Sequence, residues 1–347
     1  MATLRFAISW VTPPAILLLG CFYVATVTTM PNCFGQSPPL PSAIHPDATE
    51  PYSVFDSNAV APPIDFRPQQ IDQMAEIPIQ RFRKSFYQGA EVLGGHLFDT
   101  GSKLGGLDMT FEEARVSFGV PLGSLENILG LRPYFRATHL NGPSISISGN
   151  DLDVPETLYE TGVTFLNQKT WTEKISTTII VSPAVRSDLT TSEGAIRIFG
   201  LGLLNYQCSD VWKVSVGAVY LDREDVSLLP AIGFTWTPSP DLKFDGMIPR
   251  PRLSKRLWKQ GGEAEGWVYL GAGFGGNSWA VSRDNGRKDQ LTIRDYRLMA
   301  GYEVIRAGNR GLFIETGYAF GRSLEYVSED LERDLDDGVF IQASWRF

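Results

Sequence analysis

The last ten residues, Gly338-Val-Phe-Ile-Gln-Ala-Ser-Trp-Arg-Phe347, constrain this chain more than any other stretch. Val339, Ile341, Ala343, Trp345 and Phe347 alternate with Phe340, Gln342, Ser344 and Arg346. Successive side chains of a strand point to opposite faces, so the segment reads as a strand with one apolar and one mostly polar face. The same period recurs upstream. Ala114, Val116, Phe118 and Val120 oppose Glu113, Arg115, Ser117 and Gly119. Tyr159, Thr161, Val163 and Phe165 oppose Glu160, Gly162 and Thr164; Trp212, Val214, Val216, Ala218 and Tyr220 oppose Lys213, Ser215 and Gly217. Similar runs follow over 296–304 and 312–321.

Many such strands in one chain need a partner for every edge. In lipid each backbone donor and acceptor must be paired within the protein, which leaves a closed barrel as the solution for strands. The expected fold is therefore all-β: an antiparallel up-and-down transmembrane barrel over 84–347, apolar outward and polar inward. A soluble β-sandwich alternates too, with its polar face outermost, so periodicity alone leaves a secreted β protein open. Counting back from Phe347 with short turns at one end and long loops at the other gives 14 strands, provided that Leu242 to Leu257 is two strands broken at Met247-Ile-Pro-Arg-Pro251. Proline cannot donate to a ladder, which permits that break. Twelve strands is the alternative count. Leu140 to Pro155 and the acidic Glu325 to Asp337 fall among the long loops, and Arg306 to Arg310 among the short turns.

The N-terminal quarter has another character. Arg5, the apolar run Ala15 to Thr29 and the small residues around Cys33-Phe-Gly35 read as a secretory signal, 1–35, cleaved after Gly35. The run is short for a spanning helix, and it continues past Cys21, where a lipidated leader would turn polar. Residues 36–83 are rich in Pro and read as a largely disordered periplasmic tail, with one short helix conceivable over Ile71 to Gln80. Of the three Cys, at 21, 33 and 208, Cys208 alone lies beyond the signal, so no intrachain disulfide framework is expected. The formal net charge of -8 argues against nucleic acid as a partner.

A search for chemistry finds no enzyme. The three histidines, His45, His96 and His139, lack a serine at the spacing of a nucleophile and base pair on one strand face. An Asp–His pair of protease type would have to come from Asp151 or Asp153 near His139. The acidic run 329–337 lacks the register of a dedicated Ca²⁺ loop and reads as a solvated outer loop. The basic run Arg250 to Lys259 reads as a rim or as the lining of an anion constriction. No cofactor or metal is implied. Instead, charges of both signs fall on the face opposite the apolar one: Glu113, Arg115, Arg136, Glu160, Lys213, Arg297, Glu303, Glu315 and Arg346. An Arg or Lys facing the membrane midplane costs roughly 2 to 4 kcal/mol, so these residues are expected to face the lumen.

The final strand resembles the closing strand of bacterial outer-membrane barrels, in which the terminal aromatic belongs to the signal read by the barrel-assembly machinery. That resemblance assigns Trp345 and Phe347 to the assembly signal, outer-membrane lipid and the assembly machinery as partners, and the outer membrane as location. Trp212-Lys-Val-Ser-Val-Gly-Ala-Val-Tyr, Leu229-Pro-Ala-Ile-Gly-Phe-Thr-Trp and Ile248-Pro-Arg-Pro-Arg-Leu carry a resemblance to an uncharacterised family of outer-membrane β-barrels, a domain of unknown function. It implies a fold and no catalytic residues. The leading expectation is a passive, porin-like channel for small polar solutes. The alternatives are a non-conducting surface barrel that binds partners through Leu140 to Pro155 and Glu325 to Asp337, and a soluble secreted protein.

Overall fold

The computed structural model describes residues 76–100, 106–124, 127–142, 153–222, 228–329 and 331–347. Among them are sixteen strands: β1 (Tyr87–Asp99), β2 (Asp108–Pro121), β3 (Asn127–Asn141), β4 (Thr157–Thr170), β5 (Ile175–Ser187), β6 (Ile196–Ser209), β7 (Trp212–Tyr220), β8 (Leu228–Ser239), β9 (Leu242–Asp245), β10 (Arg252–Gln260), β11 (Ala264–Gly275), β12 (Ser278–Ser282), β13 (Lys288–Arg306), β14 (Arg310–Tyr326), β15 (Leu331–Leu335) and β16 (Gly338–Arg346). A single turn of 3-10 helix, Val327–Glu329, interrupts them.

From β1 to β11 each strand pairs antiparallel with the next. The order then runs β11, β13, β14, β16, and β16 returns to β1. That last pairing closes a barrel of 14 strands. β12 and β15 are additional, flanking the far ends of β13 and β14. Leu242 to Leu257 does form two strands, β9 and β10, as the parity of the connections requires. β9 has only 4 residues. Residues 246–251 carry its path onward: Gly246 N donates to Phe234 O at 2.7 Å and Ile248 N to Ile232 O at 3.3 Å. The connections at one end are 122–126, 171–174, 210–211, 240–241, 261–263 and 307–309. At the other they are 100–107, 142–156, 188–195, 221–227, 246–251, 276–287 and 327–337. These are called the short-turn and long-loop ends.

The pleat sorts the residue types between two faces. Outward residues are apolar and exposed: Leu270 is 61% exposed, Trp345 62% and Ile341 47%. Their strand neighbours point in and are buried, as with Gln342 at 1% and Glu315 at 4%. Near the long-loop end the outer face turns polar, where His96 meets Thr110 at 2.7 Å and His139 meets Glu112 at 3.1 Å. At the short-turn end it carries Trp171, Trp212, Trp258 and Trp345.

Several expectations change. Not every aromatic belongs to the outer face: Trp267 and Trp279 are buried at 4% and point into the barrel. Glu325 to Asp337 is not a plain loop, because β15 folds back on β14 from Tyr326↔Leu331 to Arg322↔Leu335. The signal and most of the tail lie outside the described residues. The tail's described end, 76–83, is extended and shows no helical turn over 76–80. It sits on the short-turn rim: Gly308 N donates to Gln80 O at 2.9 Å, Arg83 Nε to Gly308 O at 2.9 Å, and Arg81 to Glu265 at 3.3 Å.

Candidate functional site: the barrel interior

All nine charged residues expected to face the lumen lie on the inner face of the wall. Glu113, Arg136, Glu160, Lys213, Arg297, Glu303 and Glu315 are buried, and Arg115 and Arg346 are half-buried. They are not one constellation. Glu113 is bound by Arg115 and by Arg136 at 3.7 Å. Glu160 accepts from Arg186 at 2.9 Å and from Tyr134 Oη at 2.6 Å. Glu303 accepts from Arg252 at 2.8 Å, and Arg297 donates to Asp295 at 2.6 Å. Glu315 accepts from Tyr269 Oη at 2.8 Å and from Gln342 at 2.6 Å. These charges are satisfied by neighbours on the same wall, which is how a buried charge survives.

The alternation did not flag several members of this lining. Glu91 on β1 lies 3.8 Å from Arg132 and 3.6 Å from Arg346. Lys243 and Asp245 on β9 pair at 2.9 Å. Arg256 and Lys259 gather with Glu76 and Glu265 at the short-turn rim. The signal for Arg252 and Arg256 was present in the basic run Arg250 to Lys259. For Glu91 the neighbouring Gly94 and Gly95 hide the period.

The long-loop mouth is crossed by a hairpin. β12 continues β11 past Gly276 and Asn277 and pairs with the far end of β13 from Ser278↔Thr292 to Ser282↔Lys288. Its other edge meets β5 at Ala280↔Ser187. Asp188 N donates to Ala280 O at 3.1 Å, and Ser282 N donates to the Asp188 carboxylate at 2.8 Å. Burial pushes the Asp188 carboxyl up, but hydrogen bonds from Thr190 and Ser282 outweigh it and hold it below the ordinary carboxylate range. The hairpin spans the full width. Strands β14, β16, β1, β2, β3 and β4 separate β13 from β5 one way round, and β6 to β11 the other way.

An apolar core fills the β1–β4 side of this crossing. Leu97, Leu107, Leu140, Leu158, Tyr326 and Phe340 pack with Trp279 and Val281 of β12 and Leu291 and Ile293 of β13. A second apolar group, including Ile180, Leu201, Leu203, Val219 and Ala231, lines the inner wall of β4 to β8.

Of the described histidines, His96 and His139, neither forms a catalytic pair; His45 lies outside the described residues. His139 bonds Glu112 and Thr157 on the outer face, while Asp153 holds Arg283 at 3.1 Å. Asp151 lies outside the described residues. Among the described residues no group of three or more His, Cys, Asp and Glu is placed to hold a metal ion. In the acidic run, Asp337 accepts from Tyr318 Oη at 2.7 Å and from Gly321 N at 3.2 Å.

No family model matches the chain, and no curated protein matches it. Among solved structures it is similar to Salmonella typhi OmpF in complex with daunomycin, at 9% identity over 74% of this chain and 96% of that one, with a TM-score of 0.31. It is also similar to Pseudomonas aeruginosa OccK5, at 11% identity over 76% of this chain and 99% of that one, with a TM-score of 0.27. A mutant of the Rh. blastica porin matches at 10% identity over 75% and 98% of the two chains, with a TM-score of 0.27. The closed barrel rests on its own strand pairings and not on these likenesses.

Proposed function

We propose that this chain is an outer-membrane barrel that passes small polar solutes, and that residues 1–35 are removed on export. The observation that supports this is the inverted distribution of its side chains. Exposed Leu, Ile, Val and aromatic residues cover the outer face of strand after strand, while Arg, Lys, Asp and Glu point inward. A soluble protein seldom exposes a contiguous apolar patch beyond a few hundred Å². A bilayer, by contrast, solvates such a belt, and the tryptophans near the short-turn end suit its interface. The strands support it too: β2 to β6 have 13 to 15 residues, against the roughly 9 to 11 that a tilted strand needs to cross.

The number of strands bears on conduction. Barrels of roughly eight strands are filled by their own side chains, whereas those of about 16 strands hold an aqueous channel. Fourteen strands approach the second case, and the crossing hairpin narrows the opening. The charged inner wall would then line the water path. Single-channel recording of the refolded protein in a planar bilayer tests this. Discrete conductance steps are expected. Their absence, from protein shown to be folded and inserted, would reject the channel in favour of a closed barrel that acts through its long loops.

A further inference from the structure

We propose that solutes pass on one side of the crossing hairpin only, between it and strands β6 to β11, and that the solutes taken are small anions. The proposal rests on the channel reading above and names its path and its substrate class.

The hairpin is a two-stranded sheet with two unlike faces. Trp279, Val281, Leu291 and Ile293 alternate with Ser278, Ala280, Gln290 and Thr292. The first set packs into the apolar core on the β1–β4 side, where Val281, Leu291, Ile293, Leu158, Leu324 and Tyr326 are all 0% exposed. Protein cores pack as densely as organic crystals, so this side has no room for a water column. The second set is polar or small and lies on the side of β6 to β11. Ser278, Ala280 and Thr292 are covered there, at 5%, 1% and 3% exposure, and Ser278 and Thr292 bond each other at 2.8 Å. Gln290 is partly exposed and accepts from Arg197 of β6, so a path on this side runs past these two residues.

The charge on that half is predominantly positive. On β6 to β11, Arg197, Lys213, Lys243, Arg252 and Arg256 face inward. The carboxylates facing them from these strands are Asp245 and Glu265, and Glu303 of β13 also binds Arg252. A further cation comes from the break in the wall. Arg250, in 246–251, is buried against β11, and a Cβ on Gly273 would lie 3.0 Å from its Nε. Irregular backbone within a sheet re-aims a side chain in this way. Low-dielectric walls of one sign focus the potential and concentrate the opposite ion, and rings of Arg and Lys select anions.

The test is the reversal potential of the full chain in a planar bilayer under a KCl gradient. Chloride should be preferred over potassium. The double substitution Arg197→Glu and Arg250→Glu should reverse the preference, while Arg197→Lys with Arg250→Lys should keep it. Path is tested in a chain whose own cysteines are replaced by serine. A charged, water-soluble thiol reagent should reduce the conductance of Gln290→Cys and leave that of Leu158→Cys unchanged; Ala319→Cys replaces the latter if it does not fold. Potassium preference in the parent, an unmoved reversal potential in the Glu pair, or block at Leu158 as strong as at Gln290 overturns this inference and leaves the channel standing. Absence of any conductance defeats the channel reading instead.

Discussion

Glu91 shows what one inward carboxylate does for the wall. It is buried on β1 beside Arg132 and Arg346, and Ser344 donates to it. Removing it takes a buried counter-charge from two guanidinium groups, and breaking a buried pair from one side costs about 3 to 5 kcal/mol. Glu91→Ala should therefore lower the free energy of unfolding, read from urea titration, by an amount of that order, with a lower midpoint. Glu193→Ala, which removes an exposed pair with Lys288, should leave the midpoint where it is. Equal shifts would mean that the interior is solvated enough to screen its charges. At this scale the sequence was readable wherever charged and apolar residues alternate cleanly, as at Glu113, Arg115 and Lys213. It was unreadable where the inner face is itself apolar. Leu93, Phe111 and Phe313 form a buried inward cluster, and Leu201 and Leu203 turn β6 into a strand apolar on both sides. Trp267 and Trp279 are a further case, since composition does not say which face a tryptophan takes.

At the scale of elements, the crossing hairpin is the least legible part. Ser278-Trp-Ala-Val-Ser282 is buried on both faces, so it lacks the exposed polar side that a period-two reading relies on. Its position depends on β5, far away in sequence. Two features hold it. Gly276 has φ of 90°, and an added Cβ would stand 1.9 Å from the Ile293 carbonyl oxygen. Such conformations cost a non-glycine residue roughly 1 to 3 kcal/mol before the clash is counted. Gly276→Val should loosen the hairpin, seen as faster protease cleavage within 276–287 while the barrel stays resistant. Asp188 is the other anchor. Its carboxyl is held below the ordinary range, so its contribution is complete above the unfolded value of about 4. That contribution is lost as pH falls through the depressed folded value. The hairpin should accordingly be released in acid below about pH 4, raising conductance. Asp188→Asn should remove that acid step, and an identical acid step in the variant would mean that another group governs it.

The whole molecule is decided at one seam. Most strands pair with a sequence neighbour, but the barrel exists because β16 returns to β1, from Glu91↔Arg346 to Asp99↔Gly338. The seam extends to the last residue: Phe347 N donates to Ala90 O at 2.9 Å and Ala90 N to Phe347 O at 3.1 Å. Closure was legible because every strand with an apolar outer face demands paired edges, and an open sheet would leave β1 and β16 each with a row of unpaired groups. The division of the mouth was not legible, since nothing local marks Ala280 as the partner of Ser187. The C-terminal residues thus have a structural role in this chain apart from any recognition by an assembly machinery. Deleting Trp345 to Phe347 removes the Val92↔Trp345 pairing and the Ala90–Phe347 pair, and takes away two outward aromatics. The truncated chain should fail to refold into detergent micelles even with no cellular machinery present. The readout is loss of the compact, heat-sensitive mobility that closed barrels show on gels. If the truncation instead refolds fully in micelles yet fails to reach the membrane in cells, the three residues act as an address and the seam closes without them.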